Sequence, residues 1–162
     1  IHIGVDNYHQ KHQRKYTDLV RRNAAALQKL DIDPLALYES LNDSYDGREI
    51  DRQGLVWTHG DYWLNNLIGQ RVNGHYQLNG IIDWELAGLG SPYEDFSIVK
   101  MSIEDQHEGA SILFWQGYGK APQPDLQRHF AIVKTLEWMV ADQDGIGAKV
   151  MMILSQKKRI NN

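Results

Sequence analysis

Leu55-Val56-Trp57-Thr58-His59-Gly60-Asp61-Tyr62-Trp63-Leu64-Asn65-Asn66, answered further on by Ile81-Ile82-Asp83-Trp84, is the stretch whose reading decides the fold. Residues 55–58 read as a short buried strand that delivers His59 into a loop. Two more strands, 66–71 and 76–82, flank Asn73-Gly74, a pair favoured in tight hairpin turns because both residues tolerate a left-handed backbone. That hairpin brings Asn66, at the start of one strand, near Asp83, at the end of the other. A slip of one residue in register would turn one of them to the opposite face. Asn66, with Asn65 as its neighbouring alternative, offers an amide carbonyl and Asp83 a carboxylate, hard oxygen donors of the kind that suits magnesium. The run 78–82 is apolar enough to be buried, and an unpaired carboxylate emerging from it would be costly. A bound cation offsets that cost, and a helix cap or a salt bridge is the structural alternative.

The offset from Asp61 to Asn66 equals that in the protein-kinase loop H-R-D-L-x-x-x-N, and Asp83 stands where the aspartate of D-F-G would stand. With Ile82-Asp83-Trp84-Glu85-Leu86-Ala87-Gly88 and the later Tyr93-Glu94-Asp95-Phe96, the pattern resembles the aminoglycoside phosphotransferase and choline kinase superfamily, small-molecule kinases of protein-kinase-like fold. The two motifs in order, each beside an apolar strand-like run, carry far more weight than either alone. The resemblance covers mainly residues 55–101. It implies an α+β, mainly helical fold, the C-terminal lobe of a kinase-like protein with a small β-hairpin carrying the catalytic and metal segments.

It also implies roles. Asp61 is the catalytic residue, holding the substrate hydroxyl and accepting its proton; Asn66 and Asp83 bind the cofactors, magnesium and the phosphates of ATP or GTP. His59 shapes the loop and Asp95 braces it, with helix capping as the plainer reading of Asp95. Glu85, Glu94, Glu104, Asp105 and Glu108 are possible substrate contacts, since acidic side chains, like the aromatic faces of Trp115, Tyr118 and Trp138, suit amino or quaternary-ammonium groups. A solvated helix face and core aromatics are the structural reading of these groups. IDWELAG looks like the choline and thiamine kinase branch, whereas Asp61-Tyr62-Trp63 is similar to ketosamine-kinase and ecdysteroid-kinase-like relatives, and aminoglycoside modification lies within the same family. The expected activity is transfer of the γ-phosphate of ATP or GTP to a hydroxyl of an amino alcohol, aminoglycoside or sugar derivative.

Composition sets the outer bounds. A chain of 162 residues suits one compact domain, and 42% hydrophobic with 23% charged residues is an ordinary globular balance. A net charge of -4 offers no broad basic surface, so no nucleic-acid partner is expected. No run approaches the roughly 18 apolar residues of a membrane span, and no signal segment opens the chain. The absence of cysteine excludes disulfides and thiolate metal sites and is compatible with a reducing cytoplasm, the expected location.

Around the central motifs the chain reads as helical. Tyr16, Leu19, Val20, Leu27 and Leu30 recur at helical spacing, predicting one amphipathic helix over 8–30 whose solvated face carries His9, His12, Lys15, Arg21 and Arg22. Asp33-Pro34 caps a short helix to about 41, and 42–54 is a polar connector. Ser91-Pro92 opens a further helix, Ser102 with Asp105 begins another, and 125–142 follows the break at Pro122-Gln123-Pro124. Gly145-Ile146-Gly147 marks a helix boundary before a last helix, opened by the run 149–154 and ending in Lys157-Lys158-Arg159, where cations complement the C-terminal dipole.

The chain starts at Ile1 and carries no recognisable glycine-rich phosphate loop, strand lysine or lysine-orienting glutamate before His59. A nucleotide-binding N-terminal lobe is therefore expected in cis, upstream, and 1–162 alone is expected to be inactive. Two rivals stay open. One is an isolated lobe that binds without turnover; the other is a metal-dependent phosphoesterase, which would want further histidines around a two-metal site.

Overall fold

The computed structural model describes residues 5–106 and 109–141. They are mainly helical, with two small antiparallel sheets of two strands each, an α+β architecture. The expected single core gives way to two compact units, one of 1–54 with 123–162 and one of 55–122. The catalytic-loop stretch and the helices after it close on themselves.

In the first unit, α1 (Val5–Arg22) buries Tyr8, His12, Tyr16 and Val20, spaced by four along one face. His12 therefore leaves the solvated face to which the sequence assigned it; at 5% exposure it belongs to the apolar stripe. The single helix expected over 8–30 is divided at Asn23. The Asn23 side-chain amide donates to the carbonyls of Leu19 and Leu136, both at 2.9 Å, and the chain turns there before resuming as α2 (Ala24–Lys29). In α3 (Pro34–Ser44) the Asp33 carboxylate accepts from the Leu35 N–H with proline in the first turn, as the sequence indicates. The expected connector 42–54 contains a helix, α4 (Gly47–Gln53), capped by Asp46 through the Arg48 and Glu49 amides. A heptapeptide with Ile50 as its only large apolar residue shows no periodicity. Its stability comes instead from the cap, the ion pair of buried Glu49 with exposed Arg52, and the full burial of Ile50.

Helix α7 (Pro124–Ala141) supplies Ile132, Val133 and Leu136, which pack with Tyr16, Leu19, Val20, Leu27 and Leu41 as the core of this unit. Leu27, Leu41 and Leu136 are wholly buried, and truncating any of them to alanine would cost about 2–5 kcal/mol. Lys15 and Glu137 join α1 to α7 at 2.5 Å.

In the second unit, β1 (Val56–Thr58) pairs antiparallel with β4 (Gly88–Gly90), Thr58 opposite Gly88. The hairpin β2 (Leu67–Val72) and β3 (His75–Ile81) turns at Asn73-Gly74 with both residues at positive φ, as expected. Burial differs from the sequence reading. Trp57 is 76% exposed, Leu78 56% and Ile82 46%, so neither residues 55–57 nor the run 78–82 is buried. A two-stranded hairpin hides an apolar face only when another layer packs on it, and β2 and β3 are exposed along most of their length.

Ser91 and Pro92 precede α5 (Tyr93–Gln106), the Ser91 hydroxyl accepting from the Tyr93 N–H at 3.3 Å. This helix runs unbroken through Ser102, so no helix begins there; Ser102 is used in another way. In α6 (Ser111–Tyr118), closed by left-handed Gly119, Trp115 and Tyr118 pack edge-on to Phe96, with centroids at 5.2 and 4.8 Å. They are packing aromatics, and Trp138 lies in the other unit. The glycines at 145 and 147, the expected last helix, the basic residues 157–159 and Glu108 lie outside the described residues.

Candidate active site

His59 sits between the two motifs and bonds to both. Its Nδ1 accepts from the Asp61 N–H at 3.3 Å, which leaves the proton on Nε2 to be donated to the Ile82 carbonyl at 2.8 Å. The Ile82 N–H donates to the Asn66 carbonyl at 2.9 Å, and the Asn66 side-chain amide donates to the Asp61 carbonyl at 2.8 Å. These four bonds form a closed circuit, Asp61 to His59 to Ile82 to Asn66 and back to Asp61. The circuit fixes the backbone at Asp61 and at Ile82, the residue before Asp83. The ring of His59 is buried against Tyr62 edge-on at 5.7 Å and Trp84 at 4.7 Å.

Asp95, in the first turn of α5, accepts the His59 N–H at 2.7 Å and the Gly60 N–H at 2.9 Å, one on each carboxylate oxygen. Two charge-assisted bonds to consecutive amides give the loop a rigid entry into Asp61. Its negative charge, after burial, pushes the Tyr62 hydroxyl above the ordinary value of 10, so that phenol stays protonated.

Gly60 makes the close turn possible. Its φ is +79°, and a Cβ there would lie 2.5 Å from the Leu86 carbonyl oxygen, so only glycine lets the loop approach the turn that follows Asp83. Thr58 ties the same two segments one residue earlier, its hydroxyl donating to the Gly88 carbonyl at 3.0 Å.

Asp83 occupies the left-handed region, φ 67° and ψ 54°, at the entry to the 3-10 turn Trp84–Leu86. A non-glycine residue held there is a strained feature. Its side chain makes no cap hydrogen bond and, among the described residues, no ion pair. The carboxylate is exposed, so the sequence argument from burial does not apply to it; what distinguishes it is the missing protein partner. Asn66 is similar at one atom. Its amide nitrogen is engaged with the Asp61 carbonyl and, at 3.4 Å, with the Asp61 carboxylate, while its Oδ1 accepts no hydrogen bond among the described residues.

The donor chemistry at Asn66 and Asp83 fits magnesium: both offer unengaged oxygens of the hard type. Among the described residues no group of three or more His, Cys, Asp or Glu side chains is arranged to hold a metal. A cation here would rest on few protein oxygens, which magnesium accepts more readily than calcium does.

Of the other sequence candidates, Glu85 lies exposed on the 3-10 turn beside Asp83. Glu94, next to Asp95 in α5, packs its carboxylate over Gly90, where an added Cβ would meet Oε1 at 2.6 Å. Glu104 and Asp105 fall in the last turn of α5, far along the helix from Glu94. The sequence reading missed the Ile82 carbonyl as a tie, the steric demand at Gly60, and Ser102. Only Gly60 had a visible signal, a glycine inside a tight loop motif.

Comparison with known proteins agrees with this geometry. The profile of the Phosphotransferase enzyme family matches residues 5–129. A viomycin phosphotransferase of Streptomyces vinaceus is 29% identical over 90 residues, which cover 54% of this chain and 30% of that protein. The chain thus spans under a third of the length of the curated relative it matches. No solved structure matches it significantly. With most of its described residues inside the family profile, and the HGD loop joined to Asn66 and Ile82 by one hydrogen-bond circuit, the chain belongs to the phosphotransferase enzyme family.

Proposed function

We propose that this chain is the C-terminal lobe of a magnesium-dependent small-molecule kinase, moving the γ-phosphate of ATP or GTP to an alcohol. The observation that carries the reading is the closed circuit of His59, Asp61, Asn66 and Ile82, which leaves two oxygen donors unengaged beside a carboxylate held by its backbone. Asp61 would accept a hydrogen bond from the acceptor hydroxyl, aim its oxygen in line with the phosphorus, and take its proton as the bond to phosphorus forms and the bond to the nucleotide's leaving oxygen breaks. The transition state is loose, so orientation counts for more than basicity. Asn66 and Asp83 would hold the metal, which when bound would neutralise negative charge developing in the transition state. Left-handed Asp83 and the Asn66 amide, already engaged, need little reorganisation to do so.

The acceptor is a small molecule bearing a hydroxyl. Amino alcohols, sugar derivatives and aminoglycosides follow from the motif resemblance, and the relative's name adds viomycin. Glu85, beside Asp83, is the acidic side chain best placed by sequence position to meet a basic acceptor. A nucleotide donor fits reaction in the cytoplasm, and among the described residues no helix is long and apolar enough to cross a membrane. The donor's phosphates also need groups on their far side, which an upstream lobe in cis would supply. The phosphoesterase alternative is disfavoured by the lack of a carboxylate and histidine cluster among the described residues.

The test is a nucleotide-consumption screen across those acceptors, run on 1–162 and on a version extended upstream. Magnesium-dependent turnover by the extended protein, with little by 1–162, is the expected result. Phosphate release from a simple phosphoester without nucleotide, or no turnover with any acceptor, would refute the reading.

A further inference from the structure

We infer that Ser102 is a positioning residue for Asn66, acting as a helix cap supplied from another helix; the inference rests on the kinase reading for its catalytic consequence. Asn66 ends the 3-10 turn Leu64–Asn66. The first amides of any helical turn lack intrahelical partners, and a polar residue at the preceding position normally accepts one of them. Here the preceding residue is Trp63, whose side chain makes no cap hydrogen bond. The orphan Leu64 N–H donates instead to the Ser102 hydroxyl, at 3.1 Å, from α5. Ser102 is 4% exposed, so water does not readily take its place.

Position on the helix gives this contact its meaning. Ser102 stands seven residues beyond Asp95, two turns along α5, so both project from the same face. Asp95 takes the amides of His59 and Gly60, just before Asp61, and Ser102 takes the amide of Leu64, between Asp61 and Asn66. One rigid helix thus grips the loop on both sides of Asp61. Fixing the turn fixes where Asn66 leaves it, and the Asn66 side chain in turn bonds to the Asp61 carbonyl. Losing the cap frees the turn to unwind, and the Asn66 oxygen loses its fixed aim while Asp83 keeps its own.

The test compares Ser102→Ala and Ser102→Thr with the parent, in the protein extended upstream, after circular dichroism has shown that each folds. The threonine variant keeps the hydroxyl. Three readouts are taken: exchange of the Leu64 amide by NMR, the magnesium concentration giving half-maximal turnover, and the acceptor KM. Loss of one hydrogen bond weakens a local equilibrium by about fivefold. Ser102→Ala should therefore exchange Leu64 about fivefold faster and need about fivefold more magnesium, with the acceptor KM unchanged and both effects reversed in Ser102→Thr. If the alanine variant does not fold, Ser102→Thr alone should keep the parent exchange rate and magnesium response. Unchanged Leu64 exchange in Ser102→Ala overturns the cap. Faster exchange with an unchanged magnesium response overturns the link to Asn66. A parent protein that transfers no phosphate refutes the kinase reading and with it the catalytic consequence, while the exchange rates still decide whether Ser102 caps the turn.

Discussion

Acidification should unlock the first unit through its two buried histidines. His129 is wholly buried, its Nδ1–H donating to the Leu41 carbonyl at 3.0 Å with the Ser44 hydroxyl at 3.3 Å. Its Nε2 must then be a lone pair, which accepts the Nε2–H of His12 at 2.8 Å. His12 stacks between Tyr8, Tyr45 and Phe130, with Lys15, His9 and Tyr16 its nearest titratable neighbours on α1. Burial, against a smaller opposing effect of the Leu41 bond, brings His129 down from 6.5 to about 4. Burial first, then the charges of His129, Lys15 and His9, holds His12 well below its ordinary value. A histidine whose folded value is depressed contributes stability that is complete above its unfolded value and lost as pH falls toward the folded one. For His129 that window runs from about pH 6.5 to 4, with about 2 kcal/mol gone at pH 5 and about 3 kcal/mol at its foot. Urea unfolding at pH 7 and pH 5 should show a midpoint lower by on the order of 1 M at the acid pH. NMR of the imidazoles over the same range should show both rings neutral at pH 5.5. Equal midpoints at the two pH values, or a His129 ring titrating near 6.5, would refute the reasoning.

Other perturbations separate scaffold from chemistry. Gly60→Ala should destabilise by at least about 1–2 kcal/mol from the left-handed backbone alone, with the Leu86 carbonyl clash adding to it; urea unfolding checks this, and a change inside experimental error would show that the loop can move away. Asp61→Asn should lower kcat by about 100-fold or more while acceptor KM and nucleotide affinity change little, because its contact matters most in the transition state. Near-normal kcat would remove Asp61 from the mechanism.

The parts of the fold legible in the sequence are those set by local chemistry. Asp33-Pro34 caps α3 and Asn73-Gly74 turns the hairpin because side-chain capping and left-handed tolerance act within a few residues. The site was legible as a motif: residues 59–66 and 83 are close in space because a hairpin joins them. What the sequence hid depends on partners distant along the chain. Helix α4 is tied to α1 by Asp51 on His9 at 2.8 Å, His12 is buried by pairing with His129, and the division at Asn23 is fixed by the Leu136 carbonyl. Ser102 read as a helix start because a serine's capping chemistry is visible locally. That it caps a turn 38 residues away is not.

The central claim is that Asp83 and Asn66 serve a bound cation rather than the fold. Its most direct test is the rate of phosphotransfer as magnesium is titrated, in the protein extended upstream, for the parent, Asn66→Ala and Asp83→Ala. Asp83 has no protein partner among the described residues, so Asp83→Ala should fold as the parent does and lose only about 1 kcal/mol, the cost of alanine in place of aspartate in the left-handed region. Its phosphotransfer should fall to background at every magnesium concentration, and Asn66→Ala should retain some activity at a raised magnesium requirement. Unchanged turnover and magnesium dependence in Asp83→Ala would contradict the account.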